Sequence, residues 1–241
     1  MSETRLLALV TGANRGIGFE TARQLAGQGH RVIVTSRDGI KGKAAADKLA
    51  TEGLDVRYHP LDVAREESRL QVFRFLEDRY GRLDVLINNA GIMPEGDPAE
   101  PQQASVFDAE LEQIRASMET HLYGPLRLAQ LAVPMMRRNG HGRIVNVSSG
   151  LAQLSDMRGS FAAYRMSKTA LNALTRILAA EVRGENILVN SVSPGWVRTR
   201  MGGEHAPRPP AEAVRGITWL ATLDENGPNG GFYQDRMAIS W

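Results

Sequence analysis

The sequence reads LLALVTGANRGIG over residues 6–18, and this stretch decides the fold. Its first part, residues 6–10, is a continuous apolar run, which predicts a buried strand. Beyond the glycines, Ile17, Thr21 and Leu25 recur at helical spacing, which predicts a helix that begins at Gly16. We therefore expect a strand, a tight turn and a helix in immediate succession.

The glycines of this turn, Gly12, Gly16 and Gly18, have the spacing G-x-x-x-G-x-G. Glycine permits a tight turn and lets backbone N–H groups at the positive end of a helix approach a pyrophosphate. The spacing differs from the G-x-G-x-x-G pattern of dinucleotide-binding turns, so an ordinary strand-to-helix turn is the alternative. Its place after the first strand of a β–α–β unit favours phosphate binding.

Apolar strands and helices continue to alternate along the chain. Further strands are predicted at residues 31–36, 56–59, 83–87, 143–147 and 187–192, and further helices at 43–49 and 162–182. Near-continuous Val, Ile and Leu strands separated by helices are typical of a parallel sheet that is covered on both faces. Right-handed crossovers then give an α/β fold, a single Rossmann-type doubly wound parallel sheet.

Two Pro-rich segments interrupt this alternation. Residues 94–103 contain three prolines and several acidic residues, and we predict a surface loop there. Residues 202–210 read GGEHAPRPP, and a mobile substrate flap is predicted at 200–210.

Length and composition exclude several classes of protein. The 241 residues are enough for one large domain, which we expect to span residues 1–241. Because 29 Lys and Arg nearly balance 27 Asp and Glu, nucleic acid is not the expected partner. The absence of Cys excludes disulfides and thiolate sites, and no His spacing indicates a metal.

No apolar run approaches the ~20 residues that span a bilayer. Since no signal-like segment precedes the first strand either, a cytoplasmic protein without a membrane partner is expected.

Tyr164 and Lys168 lie four residues apart in a predicted helix, so both side chains share one helix face. A free Tyr titrates near ~10, and a nearby ammonium favours the phenolate. Lys168 is therefore expected to lower the pKa of Tyr164 toward the catalytic range. Ser149, at the end of the fifth strand, can donate a hydrogen bond to a substrate carbonyl oxygen. Taken alone, Tyr164 and Lys168 could also be an inert surface pair.

Five motifs, in order along nearly the whole chain, resemble the short-chain dehydrogenase/reductase family. They are TGANRGIG at 11–18, LDV at 61–63, NNAG at 88–91, YRMSK at 164–168 and PGWVRT at 194–199. Closer similarity to the carbonyl reductases of that family is carried by TGANRGIGFETARQL at 11–25, SRD at 36–38 and GPNGGFYQDR at 227–236.

This resemblance implies the roles of most site residues. Ser149, Tyr164 and Lys168 are implied to be catalytic. Asp62 and Val63 are implied to hold an adenine, residues 89–91 to line the ribose side, and Val197 and Thr199 to fix a nicotinamide carboxamide. The residues expected to bind the cofactor are Gly12, Asn14, Arg15, Gly16, Ile17, Gly18, Arg37, Asp62, Val63, Asn89, Ala90, Gly91, Tyr164, Lys168, Pro194, Gly195, Val197 and Thr199. From the residues alone, Asp62 could instead cap the helix that follows it.

The residues after the second strand indicate which cofactor is preferred. Family members that prefer NAD carry an acidic residue there, which bonds the ribose 2′-hydroxyl. Here the strand ends Thr35-Ser36-Arg37, and Asp38 follows one residue later. Arg37 and Arg15 can both face a 2′-phosphate, so NADP(H) is the predicted cofactor. Asp38 either caps the next helix or bonds the hydroxyl.

His121 departs from the family pattern, which has a catalytic Asn at this position. In the family the main-chain carbonyl of that residue holds a water that leads from the catalytic Lys toward solvent. Pro125, four residues later, has no N–H to donate to the His121 carbonyl. We hypothesise that the His121 imidazole adds a donor or acceptor to this proton relay; the alternative is that it fills space beneath the cofactor.

The expected reaction is NADPH-dependent reduction of a ketone or aldehyde, or reverse oxidation of a secondary alcohol, with Tyr164 as proton donor. Alternatives are a non-catalytic NADP-binding sensor or scaffold and a ketoacyl-thioester reductase. A pure binding protein does not need Ser149, Tyr164 and Lys168 together, which favours an enzyme.

Two further expectations concern the surfaces around the site. A mostly apolar small-molecule substrate is expected to contact Met93, Leu154, Trp196 and Met201. Apolar residues nearly all round the helix at 162–182 indicate either core packing or a second subunit, in a homodimer or homotetramer.

Overall fold

The computed structural model describes residues 5–96, 99 and 104–241. The strands are β1 (Leu7–Val10), β2 (Arg31–Ser36), β3 (Val56–Pro60), β4 (Val85–Asn88), β5 (Gly142–Val147), β6 (Ile187–Val192), β7 (Phe232–Gln234) and β8 (Met237–Ala238). The helices are α1 (Gly16–Gly27), α2 (Gly39–Thr51), α3 (Glu66–Tyr80), α4 (Leu111–Met118), α5 (Gly124–Asn139), α6 (Ala162–Glu181), α7 (Pro210–Ala213) and α8 (Arg215–Ala221). A π-helical turn, Glu119–Tyr123, joins α4 to α5.

All eight strands belong to one sheet, in the order β3-β2-β1-β4-β5-β6-β7-β8. Every neighbouring pair is parallel except β7 and β8, which are antiparallel. The order reverses direction between β1 and β4, and at such a switch point the loops after the strands open a crevice. The predicted fold class, a doubly wound parallel sheet with helices, is confirmed.

Alternating side chains of each strand face two separate apolar layers, as β1 illustrates. Leu7 and Leu9 pack with residues of α3 and α5 in one layer. Ala8 and Val10 pack with residues of α1, α2 and α8 in the other. Both faces of the sheet are therefore buried, which explains why these strands are apolar at consecutive positions.

Two elements, α2 and β4, begin at residues other than those predicted, and local contacts explain the difference. Helix α2 begins at Gly39, four residues before the predicted start, because the Asp38 side chain accepts a hydrogen bond from Lys41 N (3.0 Å) and caps it. Strand β4 begins at Val85 instead of residue 83. The preceding Asp84 is fully buried, where its carboxylate accepts from Leu7 N (2.7 Å) and pairs with Arg82 (2.7 Å).

The C-terminal hairpin β7–β8 was not predicted. Its turn residues, Asp235 and Arg236, both have positive φ (53° and 67°), the conformation of a tight hairpin turn. Such turns are usually recognised by Asn-Gly or Asp-Gly, and this chain has neither residue pair there.

The predicted flap at 200–210 is bonded to itself and to the sheet. Val197 and Arg208 form a β-bridge, and the Trp196 indole N–H donates to Gly202 O (2.7 Å). Arg208 donates to Pro194 O (3.2 Å) and pairs with Asp235 in the β7–β8 turn. The other predicted loop, 94–103, lies partly outside the described residues.

Helix α6 is apolar mainly on the face that packs on the sheet and on α4. Leu171, Leu174 and Ala179 are buried there, whereas Met166 and Ile177 point outward and are 44% and 56% exposed. No helix among the described residues is long and apolar enough to cross a membrane.

Candidate functional site

The turn after β1 needs glycine at three positions. Gly12 and Gly16 have φ of +63° and +56°, which side chains rarely adopt. A Cβ on Gly18 would lie 2.4 Å from Asn89 Nδ2 and 2.7 Å from Gly12 O, so no other residue fits there. The turn thus presents bare backbone at the N-terminus of α1, as a cradle for a diphosphate requires.

Asn89 and Thr11 lock this turn to the end of β4. The Asn89 side-chain amide donates to Thr11 O (2.8 Å) and to Gly12 O (3.2 Å). The Thr11 hydroxyl accepts from the main-chain N–H groups of Asn89 and Ala90, both at 2.9 Å. The first and third predicted motifs therefore form one rigid unit, although 70 or more residues separate them in the chain.

A cleft of about 910 Å³ opens beside this unit, at the carboxyl ends of the strands. The predicted site residues that line it are Gly12, Asn14, Arg15, Gly16, Ile17, Gly18, Arg37, Asp62, Val63, Asn89, Ala90, Gly91, Tyr164, Lys168, Pro194 and Thr199. The predicted substrate contacts Met93 and Met201 also line it. A second cleft, beside β3 and α3, is lined by none of these residues.

Several predicted residues are not among those that line the cleft. Ser149, which is partly exposed, and His121, which is fully buried, both contact Tyr164. Gly195 and Val197 support the segment that leads to Thr199; Val197 is buried. The predicted substrate contact Leu154 is 66% exposed, outside the cleft lining.

The Asp62 carboxylate accepts from Ala64 N (3.1 Å), and Asp62 N donates to the Ser68 hydroxyl (2.9 Å). Helix α3 begins three residues later, with Arg65 at the N-cap position and no side-chain cap. The capping alternative for Asp62 is therefore wrong, and the carboxylate borders the cleft instead.

Burial dominates the electrostatics of the predicted catalytic pair. It raises the pKa of Tyr164 to about 12; a hydrogen bond from the Ser149 side chain opposes the rise and the Glu95 carboxylate adds to it. Burial also lowers the pKa of Lys168 to about 7. Lys168 Nζ donates to Val147 O (2.7 Å) and lies 5.7 Å from the centre of the Tyr164 ring. The predicted lowering of the Tyr164 pKa toward the catalytic range is therefore wrong, because burial raises that pKa instead.

Arginines gather at the other end of the cleft. Burial and the charges of Arg200 and Arg37 all lower the pKa of Arg15, so the three guanidinium groups lie close enough to repel one another. The described residues include no ion-pair partner for any of them. Such a cluster favours a bound anion.

Both carboxylate oxygens of Asp38, which also borders the cleft, are engaged by α2. One oxygen caps α2, and the other pairs with Lys41 Nζ (2.8 Å). The capping alternative is therefore confirmed. Lys41 and Arg200 border the cleft and were missed by the sequence reasoning. Arg200 directly follows the PGWVRT motif but was assigned to the flap.

His121 has both ring nitrogens engaged by protein atoms. Nε2 accepts from Ile92 N (3.0 Å), and Nδ1 lies 2.8 Å from the Ser167 hydroxyl. The side chain is fully buried, and burial together with the Lys168 charge holds its pKa well below 6.5. The imidazole therefore has no nitrogen left for a relay water, and the relay hypothesis for this side chain is not supported.

The His121 carbonyl lies in the π-helical turn, where Gly124 N donates to Glu119 O. Pro125 has no N–H, so it cannot donate to the His121 carbonyl four residues back, as the sequence argument anticipated.

The doubly wound sheet and the glycine cradle define the class of nucleotide-binding α/β proteins, and Tyr164 and Lys168 on the same cleft point to oxidoreductases within it. Residues 6–209 match the family model described as short chain dehydrogenase. The chain belongs to the short-chain dehydrogenase/reductase family.

Curated relatives and solved structures agree with this assignment. Carbonyl reductase (NADPH) 1 of Mus musculus is 33% identical, over 100% of this chain and 100% of that protein. (-)-Isopiperitenone reductase of Mentha piperita is 30% identical, over 100% and 99%. The NADPH-bound carbonyl reductase from chicken fatty liver superposes with a TM-score of 0.86 at 30% identity, covering 99% and 100%. The predicted resemblance to carbonyl reductases is confirmed.

Proposed function

We propose that the protein catalyses NADPH-dependent reduction of a ketone or aldehyde, or the reverse oxidation of a secondary alcohol. The observation that carries this proposal is that Tyr164 and Lys168 border the same cleft as the glycine cradle and the arginines. The glycine cradle would hold the diphosphate of the cofactor, and Tyr164, on the same cleft, can donate a proton to a carbonyl bound there. When bound, NADPH supplies the hydride.

The residues of the cleft fit NADP(H) at its phosphate end. The bare backbone at Gly16 and Gly18 suits a diphosphate. Arg15 and Arg37 would hold the 2′-phosphate by charge-assisted hydrogen bonds, since the competing acid, Asp38, caps α2 and pairs with Lys41. The cofactor is NADP(H), as it is in the names of the carbonyl reductases described above.

The protein's own residues deliver the proton. Because burial raises the pKa of Tyr164 to about 12, the phenol stays protonated at neutral pH and can donate to the carbonyl oxygen. The Ser149 hydroxyl, which contacts Tyr164, holds that oxygen in place. Lys168 becomes the charge partner of the phenolate that remains after the transfer.

Oxidation of NADPH in the presence of ketones and aldehydes tests this proposal. We expect turnover by the wild type and a loss of about 10²-fold or more in Tyr164→Phe, with unchanged NADPH binding. Tight NADPH binding without turnover on any carbonyl would establish the sensor or scaffold instead. Turnover that requires a carrier-protein thioester would establish a ketoacyl-thioester reductase.

A further inference from the structure

The main chain of Tyr164 is held at both ends by side chains, one from outside α6 and one from three residues further along the helix. Tyr164 N donates to Glu95 Oε1 (3.0 Å), and Tyr164 O accepts from the Ser167 hydroxyl (3.0 Å). Tyr164 is the third residue of α6, where backbone N–H groups have no partner within the helix. The N-cap residue, Phe161, provides no side-chain cap, so Glu95 takes that role.

Ser167 is in turn held by His121. Since the Ser167 hydroxyl donates to Tyr164 O, it must accept from His121 Nδ1–H, which leaves Nε2 to accept from Ile92 N. These bonds define one neutral tautomer. The ring also meets the Tyr164 ring edge-on, with centroids 5.5 Å apart and planes at 86°.

The contacts of Glu95 and of His121 both connect Tyr164 to the segment at 92–95. Ile92 and Glu95 lie just after the NNAG motif at 88–91, whose Asn89 locks the glycine turn. A continuous set of hydrogen bonds therefore runs from the turn after β1, through the segment at 89–95, to the peptide of Tyr164.

The entry to α6 does not position Tyr164 unaided. Ser160 and Phe161 both have positive φ (67° and 52°), an unfavourable conformation for residues with side chains. Two hydrogen bonds hold this entry: Phe161 N donates to Ala104 O (3.0 Å), which lies outside the helix, and Arg165 Nε of α6 donates to Ser160 O (2.9 Å). Glu95 and Ser167 act three residues after Phe161, at the residue that carries the phenol.

Glu95 also acts on Tyr164 by its charge. Its second oxygen, Oε2, is buried, with no hydrogen-bond partner among the described residues. Among the described residues, Ser149, Lys168, the neutral His121 and Glu95 face Tyr164, and of these four Glu95 alone carries a negative charge. The carboxylate disfavours the phenolate.

We propose that Glu95 and His121 are positioning residues for proton transfer, which clamp the Tyr164 peptide from the segment that follows β4 and so align the phenol with the bound cofactor. This proposal rests on the proposed role of Tyr164 as proton donor. It replaces the relay hypothesis for His121 with a geometric role, and it gives Glu95 a role that no sequence motif indicated.

Three variants and one control separate the effect of Glu95 and His121 on the position of Tyr164 from the effect of the Glu95 charge. Glu95→Gln keeps an acceptor for Tyr164 N but removes the charge, whereas Glu95→Ala removes both. His121→Phe keeps the buried ring and removes both hydrogen bonds. Glu110→Gln, which neutralises an exposed carboxylate before α4, is the matched control. For each variant we would measure kcat as a function of pH, the Kd for NADPH by fluorescence, and the melting temperature.

We expect Glu95→Ala and His121→Phe to lower kcat about tenfold or more, with the Kd for NADPH within about twofold of the wild type. Glu95→Gln keeps most of kcat. As pH rises, however, its reduction rate begins to fall at a lower pH than that of the wild type, because Tyr164 loses its proton more readily. Full kcat in Glu95→Ala and His121→Phe, or a pH profile of Glu95→Gln that superimposes on those of Glu110→Gln and the wild type, overturns the proposal. Tyr164→Phe, measured in parallel, separates the two failures: a fully active Tyr164→Phe contradicts the proposed function and the positioning role with it, whereas an inactive Tyr164→Phe beside full kcat in Glu95→Ala and His121→Phe contradicts the positioning role alone.

Discussion

At the residue scale, the three clustered arginines, Arg15, Arg37 and Arg200, border the cleft from different segments of the chain. Arg37 directly follows β2, whereas Arg200 follows Thr199, whose methyl group lies 3.3 Å from the Cβ position of Gly16 in the cradle. Arg15 lies between them and is influenced by the charges of both. We infer that Arg37 reads the 2′-phosphate and that Arg200 serves the diphosphate, which NAD and NADP share.

Arg37→Ala is therefore expected to lower kcat/KM for NADPH roughly ten- to hundredfold, the equivalent of about 1.5–3 kcal/mol for a charged hydrogen bond, and to leave kcat/KM for NADH nearly unchanged. Arg200→Ala is expected to lower both values by the same factor. Steady-state kinetics with the two cofactors measure this, with Arg74→Ala, an exposed residue of α3, as control. Equal use of NADH by the wild type, or an unchanged cofactor ratio in Arg37→Ala, contradicts the assignment.

Lys168 makes the stability of the protein depend on pH. Its pKa is about 7 in the folded protein, against ~10.5 in the unfolded chain, so between these values the unfolded chain binds a proton that the folded chain does not. The free energy of unfolding is therefore expected to rise with pH over this window. As pH falls toward 7, protonation of Lys168 in the unfolded chain increasingly favours unfolding.

Lys168→Met is expected to abolish reductase activity and to flatten that slope. Denaturant unfolding at several pH values between about 7.5 and 9.5 measures it, below the range in which Tyr164 begins to titrate in the unfolded chain. Lys43→Met, at an exposed position of α2, should keep the wild-type slope. An identical slope in Lys168→Met and the wild type would show that Lys168 does not cause it.

At the element scale, the turn between β1 and α1 tolerates no side chain at Gly18. Gly18→Ala would place a Cβ 2.7 Å from a backbone oxygen of Gly12 and 2.4 Å from Asn89 Nδ2, so the turn and the end of β4 must separate. We expect a lower melting temperature and a loss of NADPH affinity of more than about tenfold. Gly27→Ala in the same helix meets nothing within 4 Å and is the control. It should be neutral or stabilising, because Ala favours helix. Equal effects of the two substitutions would contradict this reading of the turn.

The sequence predicts the elements whose determinants are local. Strands β2 and β6 were predicted to the residue, because apolar runs at their positions are bounded by polar or turn-forming neighbours. The hairpin β7–β8 was missed because its positive-φ turn is built from Asp235 and Arg236, which carry no glycine signal.

At the site, the motifs predicted which residues meet but not how they interact. No local pattern could place Glu95 on Tyr164 or His121 on Ser167, since these contacts span 69 and 46 residues of the chain. Similarly, Lys168, four residues after Tyr164 in the sequence, indicated a lowered pKa for Tyr164. The depth of burial, which depends on the whole fold, raises the pKa of Tyr164 instead.

At the scale of the whole molecule, the outer face of α6 is available for a second copy of the chain. Met166 and Ile177 are both well exposed there, and we propose that this face contacts a partner in a homodimer or homotetramer. Light scattering should give a mass above the 26.4 kDa of one chain for the wild type and a lower mass for Ile177→Glu. Ile40→Glu, at a position on α2 that is 86% exposed, should leave the mass unchanged. A monomeric wild type would refute this assembly.

The two edge strands of the sheet, β3 and β8, affect whether the protein aggregates at high concentration. At one end, β3 carries an exposed Arg57 and finishes at Pro60, which has no N–H to offer an incoming strand. At the other end, the outermost strand is the two-residue β8. A charged side chain, a proline and a very short edge strand each discourage edge-to-edge growth into fibrillar aggregates. Crowding should thus drive copies of this chain together through their helices and not through their strands.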